Sequence, residues 1–162
     1  MGNTAVRGLD LTAEPGVQEI TVTRVFDAPR ERVFKAHMDP TLLAQWWGPA
    51  RYTTIVDKLE ARPGGSWRFI NRDTDGNEYA FHGVFVEVVE PERITWTFEF
   101  EGLPGHISLE TVTFEENDGK TTLNVHSVYQ SVEDRDGMLN AGMAEGLSES
   151  WDRLAALVEA GS

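Results

Sequence analysis

Four histidines, His37, His82, His106 and His126, carry the proton chemistry available near neutral pH in this sequence. No two of them stand at metal-ligand spacing and no H-E-x-x-H occurs, so the sequence asks for no metal and no cofactor. His126 follows Val125 in an alternating segment and is expected to face solvent, and His106 follows Pro104-Gly105 in a turn. His82 alone belongs to a strand-like run beside aromatic residues. There an imidazole can serve as general acid or base, or can be hydrogen-bonded in place as a structural group. Ser66 in "GGSW" lacks the G-x-S-x-G of a nucleophile elbow, and the glycines of "GMLNAGMAEG" lack the Lys-Ser/Thr of a phosphate loop. Asp57, Arg68 and Glu110 fall on strand-like segments, where they are either inward polar groups or, the plainer reading, members of a solvated face. No constellation compels catalysis; whether the protein is an enzyme stays open, with His82 as the candidate catalytic group.

The stronger chemical signal is apolar. Trp47, Trp67, Phe69, Phe81, Phe85, Trp96, Phe98, Tyr129 and Trp151 exceed the needs of one small core, although core packing explains any single member. Together with Met138 and Met143, whose side chains deform readily, and with His82 as a polar contact, they are the candidate ligand-binding residues. Burying about 300 Å² of an apolar ligand would gain about 7 kcal/mol before the costs of binding, which is compatible with micromolar affinity. Gly137, Gly142 and Gly146 interrupt a helical pattern at about 1 kcal/mol each relative to alanine. Either they admit close packing on a sheet or they leave space beside the two methionines. In "AQWWGP", adjacent Trp46 and Trp47 must point apart, and we assign one to packing and the other, Trp47, to a cavity mouth.

The elements that must position these groups follow from periodicity. "EITVTRVFD" from Glu19 alternates with period two and is rich in β-branched residues, predicting a strand. Pro29 at a first helical position and then Asp39-Pro40, with Asp39 as N-cap, predict two short helices that end at Gly48-Pro49. Six further strands are expected between Arg51 and Gln130, separated by turns such as Pro63-Gly64-Gly65, Asp75-Gly76-Asn77 and Asn117-Asp118-Gly119. In "RITWTFEFE", Ile94, Trp96, Phe98 and Phe100 share one face while Arg93, Thr95, Thr97, Glu99 and Glu101 share the other, so one face of the sheet is wet. "EYAFHGVFVEVV" is ambiguous between its two parities, and Gly83 is a candidate bulge. From Ser131 the period turns helical, with Leu139, Met143, Leu147, Trp151, Leu154 and Val158 at steps of three and four. This predicts one helix to about residue 160, roughly 42 Å long.

With 162 residues, 40% of them apolar and 25% charged, the chain fits one globular domain. A formal charge of −13 opposes binding to nucleic acid and to anionic membranes. The absence of cysteine suits a reducing cytoplasm. The opening "MGNTAVRGLDLTAEPGVQ" has no apolar signal core, and Val6 stands where a myristoylation pattern needs Ser or Thr. It reads as a flexible tail over residues 1–17 before a domain spanning 18–160.

The order strand, two helices, six strands and a long helix, with "TRVFDAPRERVFKA", "DPTLLAQWWGP", "PGGSWRF", "DGNEYAFHGVFVEVVEPERITWTF" and "DRDGMLNAGMAEGLSESWDRLAALVEA", resembles the SRPBCC or helix-grip superfamily. That superfamily includes START lipid-transfer domains, Bet v 1-like proteins and bacterial polyketide cyclases. The match is closest to the branch named after the activator of the Hsp90 ATPase, and it covers about residues 18–160. The resemblance implies an α+β fold with a curved antiparallel sheet of about seven strands around a long C-terminal helix. It also implies a hydrophobic cavity between the two. We therefore expect binding of a small hydrophobic or aromatic molecule, in a cytoplasmic protein that is a monomer or weak homodimer. The alternative is a cyclase- or dehydratase-like enzyme using the same cavity on a conjugated carbonyl substrate. A chaperone-activating interaction role stands last, since the namesake's separate chaperone-gripping domain has no counterpart in the tail.

Overall fold

A computed structural model describes residues 3–6 and 9–159 of the chain. In chain order the elements are β1 (Asn3–Val6), β2 (Leu9–Thr12), β3 (Glu19–Phe26), α1 (Arg30–Met38), α2 (Pro40–Trp46), β4 (Thr53–Leu59), β5 (Ser66–Arg72), β6 (Glu78–Val89), β7 (Arg93–Phe100), β8 (Ile107–Asn117), β9 (Lys120–Val128), α3 (Val132–Asn140) and α4 (Met143–Glu159). The strands form one antiparallel sheet in the order β1-β2-β3-β9-β8-β7-β6-β5-β4. This is the α+β helix-grip arrangement, in which the inward sheet residues and the helices share one core. No helix among the described residues is long and apolar enough to cross a membrane.

The joint between the two short helices rests on one residue. The backbone N–H of Asp39 donates to the Lys35 carbonyl and closes α1, while its carboxylate accepts from the N–H groups of Thr41 and Leu42 at 2.9 and 3.3 Å and opens α2. Such an N-cap contributes about 1 kcal/mol. Pro29 precedes α1 as its N-cap rather than occupying its first turn.

Three features depart from the sequence expectation. The stretch read as a flexible tail contributes β1 and β2, and Leu9 and Leu11 are buried, with Leu11 paired to Val22 across β2 and β3. A four-residue strand is too short for its alternation to stand out from a loop. In β6 the register shift lies between Phe85 and Glu87, leaving Val86 as the extra, exposed residue, and not at Gly83. Gly83 is required for another reason. A Cβ there would lie 1.9 Å from the Thr97 carbonyl oxygen and 2.7 Å from the Trp67 indole nitrogen, which donates to that same carbonyl at 3.1 Å.

The expected single C-terminal helix is two. Gly142 adopts φ +87°, and the N–H groups of Ala141 and Gly142 return to carbonyls of the last turn of α3, the usual way a helix closes on a left-handed residue. The apolar spacing runs on through Leu139, Met143 and Leu147, which hides this break from a periodicity argument. Beyond it α4 buries Trp151, Leu154, Ala155 and Val158, whereas α3 buries only Arg135.

His37 is buried between these layers, with its ring 4.8 Å from that of Trp46 and 5.1 Å from that of Phe114. Its Nδ1–H donates to the Val33 carbonyl at 2.9 Å, since a carbonyl can only accept. Burial lowers its pKa to about 4, against an opposing contribution from that hydrogen bond.

Two outcomes are expected. Gly142→Ala should destabilise the protein by about 1–2 kcal/mol, because its cost is set by the left-handed backbone and not by crowding. Gly137→Ala, inside α3 with open space around its Cβ, should stabilise by up to about 1 kcal/mol. Denaturant unfolding of both variants checks this, and stabilisation by Gly142→Ala would mean an unbroken helix. For His37, the unfolded chain protonates the ring below about pH 6.5 while the folded protein holds it neutral to about pH 4. The unfolded state therefore binds more protons in that window, and stability falls as the pH falls through it. Wild type should lose about 3 kcal/mol relative to His37→Gln between pH 7 and pH 4, measured by urea titration across that range.

Candidate functional site

The helices do not fill the space over β5, β6 and β7. An inner cavity of about 240 Å³ lies beneath α4, and an outer one of about 640 Å³ lies beside α3. Asn71, Phe81, Phe98, Tyr129 and Met138 line both, so the two are successive chambers of one cleft.

Eight of the twelve candidate ligand-binding residues line the inner chamber: Trp47, Phe81, Trp96, Phe98, Tyr129, Met138, Met143 and Trp151. Trp47 meets Phe69 and Phe81 edge-on at ring distances of 5.1 and 5.3 Å, at the point where α2 gives way to Gly48. Its neighbour Trp46 turns the other way and donates its indole N–H to the Ala36 carbonyl at 2.9 Å, locking α2 to α1, although its ring also borders the chamber. Trp67, Phe69 and Phe85 are fully buried and line neither chamber; they form the aromatic layer that supports Trp96 and Phe98.

His82 is not in the cavity. Phe81, Gly83 and Phe85 take the inward positions of β6, which sends His82 to the opposite face of the sheet with its side chain 43% exposed. There its Nδ1 lies 2.9 Å from Glu101 and its Nε2 3.2 Å from Glu99, in a row with Arg68 and Asp57. The bidentate Arg68 guanidinium holds the Glu101 carboxyl down at about 2. An imidazole committed to two carboxylates on the wet face cannot serve as acid or base for a cavity-bound molecule. The candidate catalytic assignment to His82 is overturned by strand parity.

The acid inside the cavity is Glu110. It shares inward parity on β8 with Val112 and Phe114, and its oxygens accept from the Trp96 indole N–H at 3.0 Å and the Ser127 hydroxyl at 3.4 Å. Burial raises its pKa against the opposing effect of those two donors. Tyr129 stands beside this pair, and burial, followed by the nearby Glu110 charge, raises its phenol well above the ordinary range. Of the two positions the sequence leaves open for Glu110, the inward one holds, against the plainer expectation of a solvated face. The signal that corrects this is the spacing Glu110, Val112, Phe114, which puts the acid on the same side as two core residues. Asp57 and Arg68, by contrast, do lie on the outer face.

The remaining histidines and glycines sort by position. His126 bonds Glu19 at 2.7 Å on the outer face, and His106 bonds Asp134 at 2.8 Å at the rim of the outer chamber. His37 lines the inner chamber, although nothing in its sequence neighbourhood marks it as doing so. Gly137 borders the outer chamber and Gly146 the inner one, where the nearest atom to an added Cβ is Pro49 Cγ at 3.8 Å. Both leave space instead of admitting a close approach to the sheet. Among the described residues no cluster of three or more His, Cys, Asp or Glu side chains could hold a metal ion.

Comparison with known proteins places this geometry. An uncharacterised protein of Schizosaccharomyces pombe is 25% identical over 119 residues, which is 73% of this chain and 32% of that protein, so the chain spans about a third of that relative's length. Protein Ms6760 from Mycobacterium smegmatis has a crystal structure 27% identical in sequence, with a TM-score of 0.84 and 99% of each chain covered. Protein CV1439 from Chromobacterium violaceum is 32% identical with a TM-score of 0.78, covering 88% of this chain and 97% of that one. The model of one family, described as activator of Hsp90 ATPase homolog 1-like protein, matches residues 27–159. Alternating strands, paired short helices and the C-terminal helices all fall within or beside that match, and the chain belongs to the activator of Hsp90 ATPase homolog 1-like family.

Proposed function

We propose that the protein encloses a small apolar or aromatic molecule between the sheet and the C-terminal helices. The observation that carries this reading is the two-chambered cleft, whose inner part is walled by aromatic rings and two methionines and holds few polar groups. Sites of this kind bury most of a ligand's surface and use a small number of polar groups to orient it. The −13 charge supports a small molecule over nucleic acid as partner, and the absence of cysteine supports a cytosolic setting.

A second reading, cyclase- or dehydratase-like chemistry on a conjugated carbonyl compound, draws on Glu110. An acid whose pKa is raised by burial and which faces the same cavity is a group able to exchange a proton with a bound molecule. In that reading Glu110, with Tyr129 beside it, replaces His82. The co-chaperone role of the family's namesake draws no support from the cleft and stands behind both.

The test is titration with N-phenyl-1-naphthylamine, a neutral probe whose emission rises on leaving water. Wild type should bind it at micromolar concentration. Gly146→Leu, which fills the inner chamber, should weaken binding at least tenfold, and His82→Ala should leave it within threefold. Unchanged binding by Gly146→Leu, or a large loss in His82→Ala, would move the site out of the cleft.

A further inference from the structure

The two chambers are lined by three acids, Glu110, Glu133 and Asp134, and by no lysine or arginine. A ligand carboxylate or phosphate entering the cleft would meet no lysine or arginine, and the His106 imidazole at its rim is already engaged by Asp134. The cleft is therefore built against anions. The one carboxyl group lining the inner chamber is that of Glu110, a group that is costly to keep charged there without a partner.

The donors around Glu110 decide what that partner is. Trp96 N–H points at one carboxylate oxygen and Ser127 O–H at the other. Both oxygens thus already accept from the protein, which suits a carboxylate with remaining lone pairs for a third donor. It does not suit a carboxylic acid that must donate to a ligand carbonyl. The other charged or titratable groups near it are the Tyr129 phenol, His37 in the same chamber and Arg135 of α3. Arg135 is spent on Asp136 and on the carbonyls of Glu14 and Glu19. Trp47, Trp96, Tyr129 and Trp151 line the same chamber, and aromatic rings attract a cation once it leaves water.

We propose that the cleft, taken as the ligand site argued above, selects an organic amine: a monocation with an apolar or aromatic body, its ammonium group held by the Glu110 carboxylate. The inner chamber accepts the charged end and the outer chamber the remainder. The protein's net charge of −13 raises the local concentration of such a cation and lowers that of an anion. Burial favours a proton on Glu110 and an ammonium partner disfavours it. Binding is thus linked to proton release, and it weakens as acid conditions refill the carboxyl group.

Three probes of matched shape test this by isothermal titration at pH 7.5: 1-naphthylmethylamine, 1-naphthalenemethanol and 1-naphthoate. The amine should bind at least tenfold more tightly than the alcohol, and the carboxylate should bind most weakly. In Glu110→Gln the amine and the alcohol should bind within threefold of each other. In wild type, lowering the pH to 5 should weaken the amine and leave the alcohol unchanged, and His106→Gln should keep that response. If the alcohol binds and the amine shows no preference, or if the preference survives in Glu110→Gln, the amine assignment is wrong while the ligand cleft stands. If none of the three binds, the cleft reading itself falls, and the amine assignment with it.

Discussion

The apolar stripe of α4 is buried toward the β3 end of the sheet, with Trp151 edge-on to Phe26 at a ring distance of 5.9 Å. Full burial of side chains such as Trp151, Leu154 and Val158 is worth about 1.5–3 kcal/mol each, so this contact outweighs any single polar interaction in the molecule. Its consequence is asymmetric. A helix committed to β3 and to the α1–α2 pair cannot also cover β5, β6 and β7, whose aromatic residues form a wall with nothing packed flush against it. The chain leaves α4's axis at Gly142, and the cleft opens where the helix stops following the sheet.

The two faces of that sheet treat charge in opposite ways. On the outer face Asp57, Arg68, His82, Glu99 and Glu101 form a solvated row in which each side chain has a partner within 3.3 Å. Exposed pairs of this kind contribute little to stability, and they keep the face wet. On the inner face a single carboxyl group, that of Glu110, is surrounded by rings and two donors. Parity along strands of only a few residues decides which group meets water and which meets a ligand. One residue of register is therefore the difference between a surface ion pair and a chemically poised acid.

Strand and helix types were legible in the sequence wherever periodicity was undisturbed. The run Ile94, Trp96, Phe98 alternates cleanly, and the Asp39-Pro40 junction carries its own capping chemistry. What escaped has specific causes. Gly83 looks like a bulge because glycine often marks one, yet it is small because the Trp67 indole crosses it, and the true register shift at Val86 carries no signature residue. The helix break escaped because the 3.6-residue spacing continues across it, and a left-handed glycine is invisible to a period count. His37 reaches the cavity and Ser127 reaches Glu110 only through the pairing of distant elements, which no local pattern encodes. Glu110 was legible from Val112 and Phe114, had strand parity been weighed above the general preference of glutamate for water.

The segment between β2 and β3 offers a last consequence. Gln18 bonds the backbone of Tyr129 at both its N–H and its carbonyl, and the Glu14 carbonyl accepts from Arg135, the one buried side chain of α3. None of these N-terminal residues touches the cleft. They nonetheless hold the phenol that stands between the chambers and the helix that walls the outer one. The stretch that reads as an expendable leader is in mechanical terms a tether, and trimming it would slacken a binding wall whose own residues remain intact.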